Sequence, residues 1–260
     1  MSDIITERTN GILRVEFNRP ERKNAMTSGM YVRLADIFNE AAEDEETRVV
    51  LWHSAGDTFC AGNDIGDFLK PSGPGETPQA RLMDAFIRFE KPIVVAVQGA
   101  AVGGGTTMLT HCDFVYAGES AKFQMPFINL AVVPEFGSSC SVPSRIGHLR
   151  AAELLLLGAS FDARRAADLG LVTEVASDKD VLARATDTAR KLAAKPAAAL
   201  QASKKLMKQP FREQIKAAMK AENEEFSVQV RSEDAKEALT AFLEKRKPDF
   251  TRSTKSPAPA

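Results

Sequence analysis

The chain has 260 residues, 44% of them hydrophobic, and its 34 basic and 35 acidic side chains leave a formal net charge of -1. That apolar content supplies the core of one large domain and excludes disorder of the whole chain, while near-neutrality leaves no global attraction to nucleic acid or an anionic membrane. Three cysteines, Cys60, Cys112 and Cys140, odd in number and without CxxC spacing, argue against a disulfide framework and a cysteine metal clamp, and fit a reducing cytoplasm.

The N-terminal segment MSDIITERTN has no apolar run after a basic stretch, and no segment reaches about 18 consecutive apolar residues, so the chain reads as soluble, unexported and cytoplasmic. Leu13, Val15 and Phe17 alternate with polar neighbours, the period of a half-buried strand that ends at Arg19-Pro20. From Thr27, an N-cap candidate, Met30, Leu34, Ile37, Phe38 and Ala41 recur at helical spacing until the acidic run 43–47. The runs VVLWHS (49–54) and IVVAVQG (93–99) are β-branched and nearly continuous in hydrophobicity, as strands covered on both faces are. A helix, ARLMDAFIRF (80–89), lies between them, after a Pro- and Gly-rich loop over 71–79 that suits a lid or binding edge. Alternating strands and helices indicate an α/β core. Beyond residue 177 the segments 180–195, 196–209, 211–230 and 232–247 all read as amphipathic helices, an all-α end that packs on another subunit or folds back over a cleft. The Pro-rich tail KSPAPA reads as a frayed end.

Two glycine-bearing loops carry the chemical signal, FCAGNDIGDF (59–68) and QGAAVGGGTTMLTHCDF (98–114). Glycine lets the backbone approach a ligand, and N–H groups in a first helical turn lack internal partners, so one donor from each loop can grip a single carbonyl oxygen. The alternative is that Gly103 and Gly105 only permit tight packing. GGG is not GxGxxG, and no ribose-binding acid follows, which argues against a dinucleotide site.

In order and spacing, FNRPERKNAM, FCAGNDI, VQGAAVGGG with CDF, AKFQMPFINLAVVPEFGSS and AFLEKRKPDF resemble the crotonase superfamily, the enoyl-CoA hydratase and isomerase family, along nearly the whole chain. The resemblance implies a spiral of ββα repeats over residues 1–195, with a helical region over 196–260 that builds a homotrimer or a dimer of trimers. It implies an acyl-CoA substrate, no cofactor beyond that coenzyme A, and no nucleic-acid or membrane partner. It also makes the backbone N–H groups of Asn63 and Gly104 the oxyanion hole for a thioester oxygen.

Hydratases of this family place one glutamate shortly after the triple glycine and a second in a later PE dipeptide; here Thr107 and Phe127 stand at those places. An acid appears further on, in VVPEFGSS, a pattern similar to the peroxisomal type of Δ3,Δ2-enoyl-CoA isomerase. Carried over, the catalytic base is Glu135. One carboxylate suits a 1,3-proton shift, and Phe127, Leu130, Val132, Val133 and Phe136 are apolar neighbours that would desolvate it. By position alone Glu135 is a helix N-terminal acid preceding GSSCSV.

The same resemblance puts Arg22, Lys23, Ala25, Ala61 and Ile65 at the coenzyme A edge, and Phe242 and Lys245 at its far end. Asp64 is either a pocket group or a turn residue capping its own backbone. His53, His111, His148, Tyr31, Tyr116 and Trp52 read as structural. Two alternatives stay open: a hydratase or another crotonase-type thioester reaction, and a non-enzymatic acyl-CoA- or RNA-binding protein using the basic stripe Lys204, Lys205 and Lys208.

Overall fold

The computed structural model describes residues 2–68 and 76–252. The loop residues 71–75 and the tail KSPAPA lie outside them. In chain order the elements are β1 (Ile4–Thr9), β2 (Ile12–Phe17), α1 (Ser28–Glu43), β3 (Val49–Ser54), α2 (Ile65–Phe68), α3 (Pro78–Arg88), β4 (Ile93–Val97), β5 (Ala100–Val102), α4 (Gly104–Thr107) and β6 (Phe114–Gly118). There follow β7 (Lys122–Gln124), α5 (Ser138–Ile146), α6 (His148–Leu156), β8 (Phe161–Asp162), α7 (Ala163–Asp168), β9 (Glu174–Ala176), α8 (Val181–Ala193), α9 (Ala197–Gln229) and α10 (Glu233–Leu243).

Six strands form one sheet in the order β1-β2-β3-β4-β6-β9, parallel except for β1. After β4 and after β6 the chain turns and lays a short strand, β5 or β7, into a second sheet, β5-β7-β8. The segment after β3 makes the same move, since Cys60 bridges Ala101 in parallel. Three successive strand–turn–strand steps therefore stack in register, which is the spiral of repeats that the family resemblance implies.

The continuous hydrophobicity of β3 and β4 has the expected cause. Val50, Trp52, Ile93, Val95 and Val97 face the main core, while Val49, Leu51, Val94 and Ala96 face a second cluster. Small residues of α8, Ala185, Ala189 and Ala193, let that helix lie close against the second face. On the first face Phe17, Trp52, Phe38, Phe86 and Phe89 interlock, with Phe38 edge-on to Phe89 at 5.0 Å between ring centroids. Thr27 caps α1 by accepting from the Met30 N–H at 3.2 Å. The strand β1 has no counterpart in the sequence reading because only Ile4 along it is buried, which leaves no alternation to detect.

Two boundaries differ from the sequence reading. Helix α3 begins at Pro78, inside the segment read as loop, because Pro suits a first helical turn and Thr77 caps it. The segments 196–209 and 211–230 are one 33-residue helix, α9, continuing through Pro210. The carbonyl deprived of the Pro210 N–H belongs to Leu206, which is 67% exposed, so solvent can satisfy it.

Polar side chains anchor the first half of α9. Lys204 Nζ donates to Lys91 O and to Asp113 Oδ2, both at 2.7 Å, Lys208 Nζ donates to Phe86 O at 3.0 Å, and Arg212 pairs with Glu90. The basic stripe considered for RNA is thus largely turned inward, with Lys204 buried among acceptors. Lys204→Ala would leave Asp113 and the Lys91 carbonyl short of a donor, and is expected to lower the unfolding free energy by about 2–3 kcal/mol in a urea titration.

Candidate active site

Glu135 sits on a short connection between the 3-10 turn Ile128–Leu130 and α5. The next two residues, Phe136 (φ 62) and Gly137 (φ 66), both adopt left-handed backbone, a conformation that disfavours Phe. Two outside groups hold it there. His111 lies 2.6 Å through Nε2 from Phe136 O, and burial pushes its pKa down to about 4, so it is neutral with its proton on Nε2, donating to that carbonyl. Glu222 of α9 accepts the Gly137 N–H at 2.7 Å and the Ser139 N–H at 2.8 Å.

Glu222 thereby fills the helix N-terminal role that position alone suggested for Glu135. The Glu135 side chain turns the other way, toward the backbone of Gly104. Its pKa rises from 4.5 to about 7, first because the surrounding protein desolvates it and then through the Glu222 charge, with the Gly104 N–H opposing both. Phe136 is fully buried beside it and stacks on Tyr31 at 6.3 Å, and Phe127 and Val132 are buried too. Leu130 is instead 38% exposed, because it lies in a 3-10 turn whose side chains are not drawn into the core.

Gly104 opens α4, and a Cβ there would lie 3.0 Å from Glu135 Oε1 and 3.1 Å from Tyr31 Oη. The carboxylate and the phenol thus share the space over this backbone. A Cβ on Gly105 would come within 2.7 Å of Cys60 Cβ, so this glycine does serve close packing. The second loop runs alongside: Cys60 N–H donates to Ala100 O at 3.0 Å, and Val102 N–H to Cys60 O at 2.9 Å. The two loops meet at Tyr31, whose Oη would lie 3.1 Å from a Cβ on Gly104 and is 2.6 Å from Asn63 Oδ1. Asn63 is also bridged to Met26 through Met26 N–Gly62 O and Asp64 N–Met26 O, and among the described residues its own N–H enters no hydrogen bond. Its side chain is held by Tyr31, whose hydroxyl donates to Asn63 Oδ1 at 2.6 Å.

The residues expected at the coenzyme A edge gather around this loop. Ala61 N–H donates to Lys23 O at 3.0 Å, Ala25 O accepts from Arg19, and Ile65 opens α2. Lys23 Nζ pairs with Asp57 at 2.8 Å on the surface, and Arg22 is exposed. Asp64 binds Arg19 at 2.8 Å and accepts the Asp67 N–H, so its carboxyl is held below the usual range and it stabilises its own turn. Phe242 is 57% exposed on α10, and Lys245 lies just past the end of that helix. Thr107 and Phe127 are buried and place no carboxylate near Glu135.

Tyr31, His111 and Glu222 escaped sequence reasoning as site residues. Tyr31 falls within the buried face of α1, His111 within an apolar run, and Glu222 within a highly charged stretch, so nothing in their spacing separates them from core or surface positions. His53 accepts from Arg14 at 2.6 Å, its pKa lowered by burial first, and His148 opens α6 on the surface. Among the described residues no cluster of His, Cys, Asp or Glu forms a metal cage, and no helix is long and apolar enough to cross a membrane. A shallow cleft of 430 Å³ between β1–β3 and α8, lined by Arg14, Leu182 and Arg190 among others, contains none of the residues around Glu135.

A sequence model described as enoyl-CoA hydratase/isomerase matches residues 7–253. The chain is 32% identical to the 1,2-epoxyphenylacetyl-CoA isomerase of Escherichia coli K12, covering 96% of this chain and 99% of that one. It is 31% identical to the 2,3-dehydroadipyl-CoA hydratase of the same organism, with the same coverage. It is 33% identical to enoyl-CoA delta isomerase 2 of Rattus norvegicus over 94% of this chain and 64% of that one. Among solved structures, an enoyl-CoA hydratase/isomerase from Pseudoalteromonas atlantica T6c superposes with a TM-score of 0.92 at 40% identity, covering 96% of this chain and 100% of that one.

The raised pKa of Glu135 has a consequence for stability. An acid whose folded pKa lies above its unfolded value costs nothing below the unfolded value, and its penalty grows as pH rises to the folded one. Glu135→Gln is therefore expected to be more stable than the parent protein by about 1–3 kcal/mol near pH 8, with the gain fading below about pH 4.5, in paired urea titrations.

Proposed function

The chain belongs to the enoyl-CoA hydratase/isomerase family, and from that premise we propose that it is an enoyl-CoA isomerase that converts a 3-enoyl-CoA to its 2-enoyl isomer by one-base proton transfer. The observation that carries this reading is the Glu135 carboxylate lying over Gly104, where a Cβ would be 3.0 Å from its Oε1, in a space it shares with Tyr31, which holds Asn63.

The chemistry follows from that arrangement. Glu135 takes a proton from C2 of the bound thioester, and the electron pair released flows into the carbonyl, leaving a dienolate with its charge on the thioester oxygen. The Asn63 and Gly104 N–H groups donate to that oxygen, and preorganised donors of this kind lower a barrier by several kcal/mol. The protonated Glu135 then returns the same proton at C4, which moves the double bond into conjugation. A base with a pKa near 7 suits both halves, since it must accept and release a proton at comparable cost.

Hydration needs a second group to activate water. The hydratase positions carry Thr107 and Phe127, Asp64 is committed to Arg19, and Glu222 is committed to the start of α5. Relatives with hydratase names keep that reaction as the second reading. Coenzyme A would lie along Arg22, Lys23, Ala25, Ala61, Asp64 and Ile65, with Phe127 on the acyl side, and Phe242 and Lys245 would meet it from the C-terminal region. The exposed Phe242 and Leu243 favour association of that region, residues 196–260, in a trimer or a dimer of trimers.

Incubation with 3-hexenoyl-CoA is expected to yield 2-hexenoyl-CoA without 3-hydroxyacyl-CoA; rapid hydration of 2-hexenoyl-CoA would overturn the assignment. Glu135→Gln is expected to keep acyl-CoA affinity and lose isomerisation by about 100-fold or more. Because the ionised base is the active form, kcat/KM is expected to rise about tenfold per pH unit below about pH 7 and to level off above it.

A further inference from the structure

Helix α9 is mostly exposed, and its buried residues are Lys204, Met219 and Glu222. Lys204 belongs to the anchor at the helix start and Met219 joins the core, whereas Glu222 brings a carboxylate, 5% exposed, against the segment that carries Glu135. Its two oxygens take the Gly137 and Ser139 N–H groups, two and four residues beyond Glu135. These N–H groups belong to the first turn of the nine-residue helix α5, where unpaired donors and the helix dipole favour an anion.

We infer that Glu222 is a positioning residue for Glu135: it clamps the Phe136–Ser139 turn through two backbone N–H groups and, as a fixed anion, sets the field in which Glu135 gains and loses its proton. The inference deepens the isomerase reading and rests on it for its catalytic meaning. The groups facing Glu135 come from several elements: Tyr31 from α1, Cys60 from the loop after β3, and Glu222 from α9, with the Gly104 N–H from α4. His111 bonds the adjoining carbonyl. Burial keeps the phenol of Tyr31 and the thiol of Cys60 protonated and the His111 ring neutral at physiological pH. Glu222 is then the member whose two oxygens hold backbone donors. Burial raises its own proton affinity, and the two backbone N–H groups on its oxygens oppose this. Where two carboxylates interact, the one with more hydrogen-bond donors keeps the charge and the other takes the proton.

The test is Glu222→Gln, which retains an acceptor oxygen for the turn and removes the charge. The readout is the titration of the Glu135 carboxyl, followed by carbon NMR of carboxyl-labelled glutamate and assigned by its loss in Glu135→Gln. The midpoint is expected to fall by about half a unit or more, and the acid limb of kcat/KM to move to lower pH by the same amount. Glu222→Asp draws the charge back by one methylene and is expected to shift the midpoint the same way by less, so either variant decides the matter if the other does not fold. An unmoved Glu135 midpoint in a folded variant would overturn the inference. The NMR titration needs no turnover, so it stands even if the protein proves to catalyse hydration, and the two readings fail separately.

Discussion

The parallel pairing of Cys60 with Ala101 is the contact on which the site depends. Both residues lie on short strands that the chain adds after leaving the large sheet, and the pairing stacks one such step on the next. Because the steps are in register, the loop that follows Cys60 packs against the strand and glycines that follow Ala101, a Cβ on Gly62 lying 3.3 Å from Val102 O. This explains why small residues concentrate there: a Cβ on Gly105 would collide with Cys60, and one on Gly104 would occupy the space taken by Glu135 and Tyr31. Backbone from distant parts of the chain is thereby brought together around Tyr31, which bonds the Asn63 side chain and lies against Gly104.

Around that backbone scaffold, the number and kind of donors decide what each acid does. Asp64 meets a guanidinium and a backbone N–H and stays an ionised turn residue. Asp113 receives Lys204 and the Ile93 N–H and ties α9 to the sheet. Glu222 receives backbone donors at a helix start. Glu135 lies over Gly104 beside buried Phe136, and desolvation raises its pKa to about 7. The same functional group thus serves as ion-pair partner, anchor or clamp according to its surroundings, and in Glu135 it is held where desolvation favours the protonated form.

The long helix α9 joins these features mechanically. Its first half is bound to the carbonyls of residues 86 and 91 through lysines, and its second half reaches α5 through Met219 and Glu222. A helix with so few buried residues contributes little hydrophobic stabilisation for its length, so its seating rests on charged hydrogen bonds, which are directional. Placement of the Glu135 segment is therefore coupled to the docking of a helix remote in sequence. His111 supplies the opposite hold, and together they sustain left-handed backbone at Phe136 that would otherwise relax.

Much of this was legible in the chain itself. The period of Leu13, Val15 and Phe17, the two-faced hydrophobicity of residues 49–54 and 93–97, and the Thr27 cap are local patterns, and local patterns survive in sequence because burial repeats at the spacing of the element that causes it. The glycine loops and the acid in VVPEFGSS were likewise visible as residue types at particular places. What folding alone settled was which way those residues face and what meets them. Position suggested that Glu135 caps a helix; the fold gives that role to Glu222, 87 residues later, and turns Glu135 toward Gly104. Tyr31 looked like any core residue of α1 until its hydroxyl met Asn63, and the lysines of α9 looked like a solvent stripe until the sheet supplied acceptors. Hydrogen bonds and desolvation depend on groups far apart in the chain, and their strength changes with distances that no one-dimensional spacing encodes.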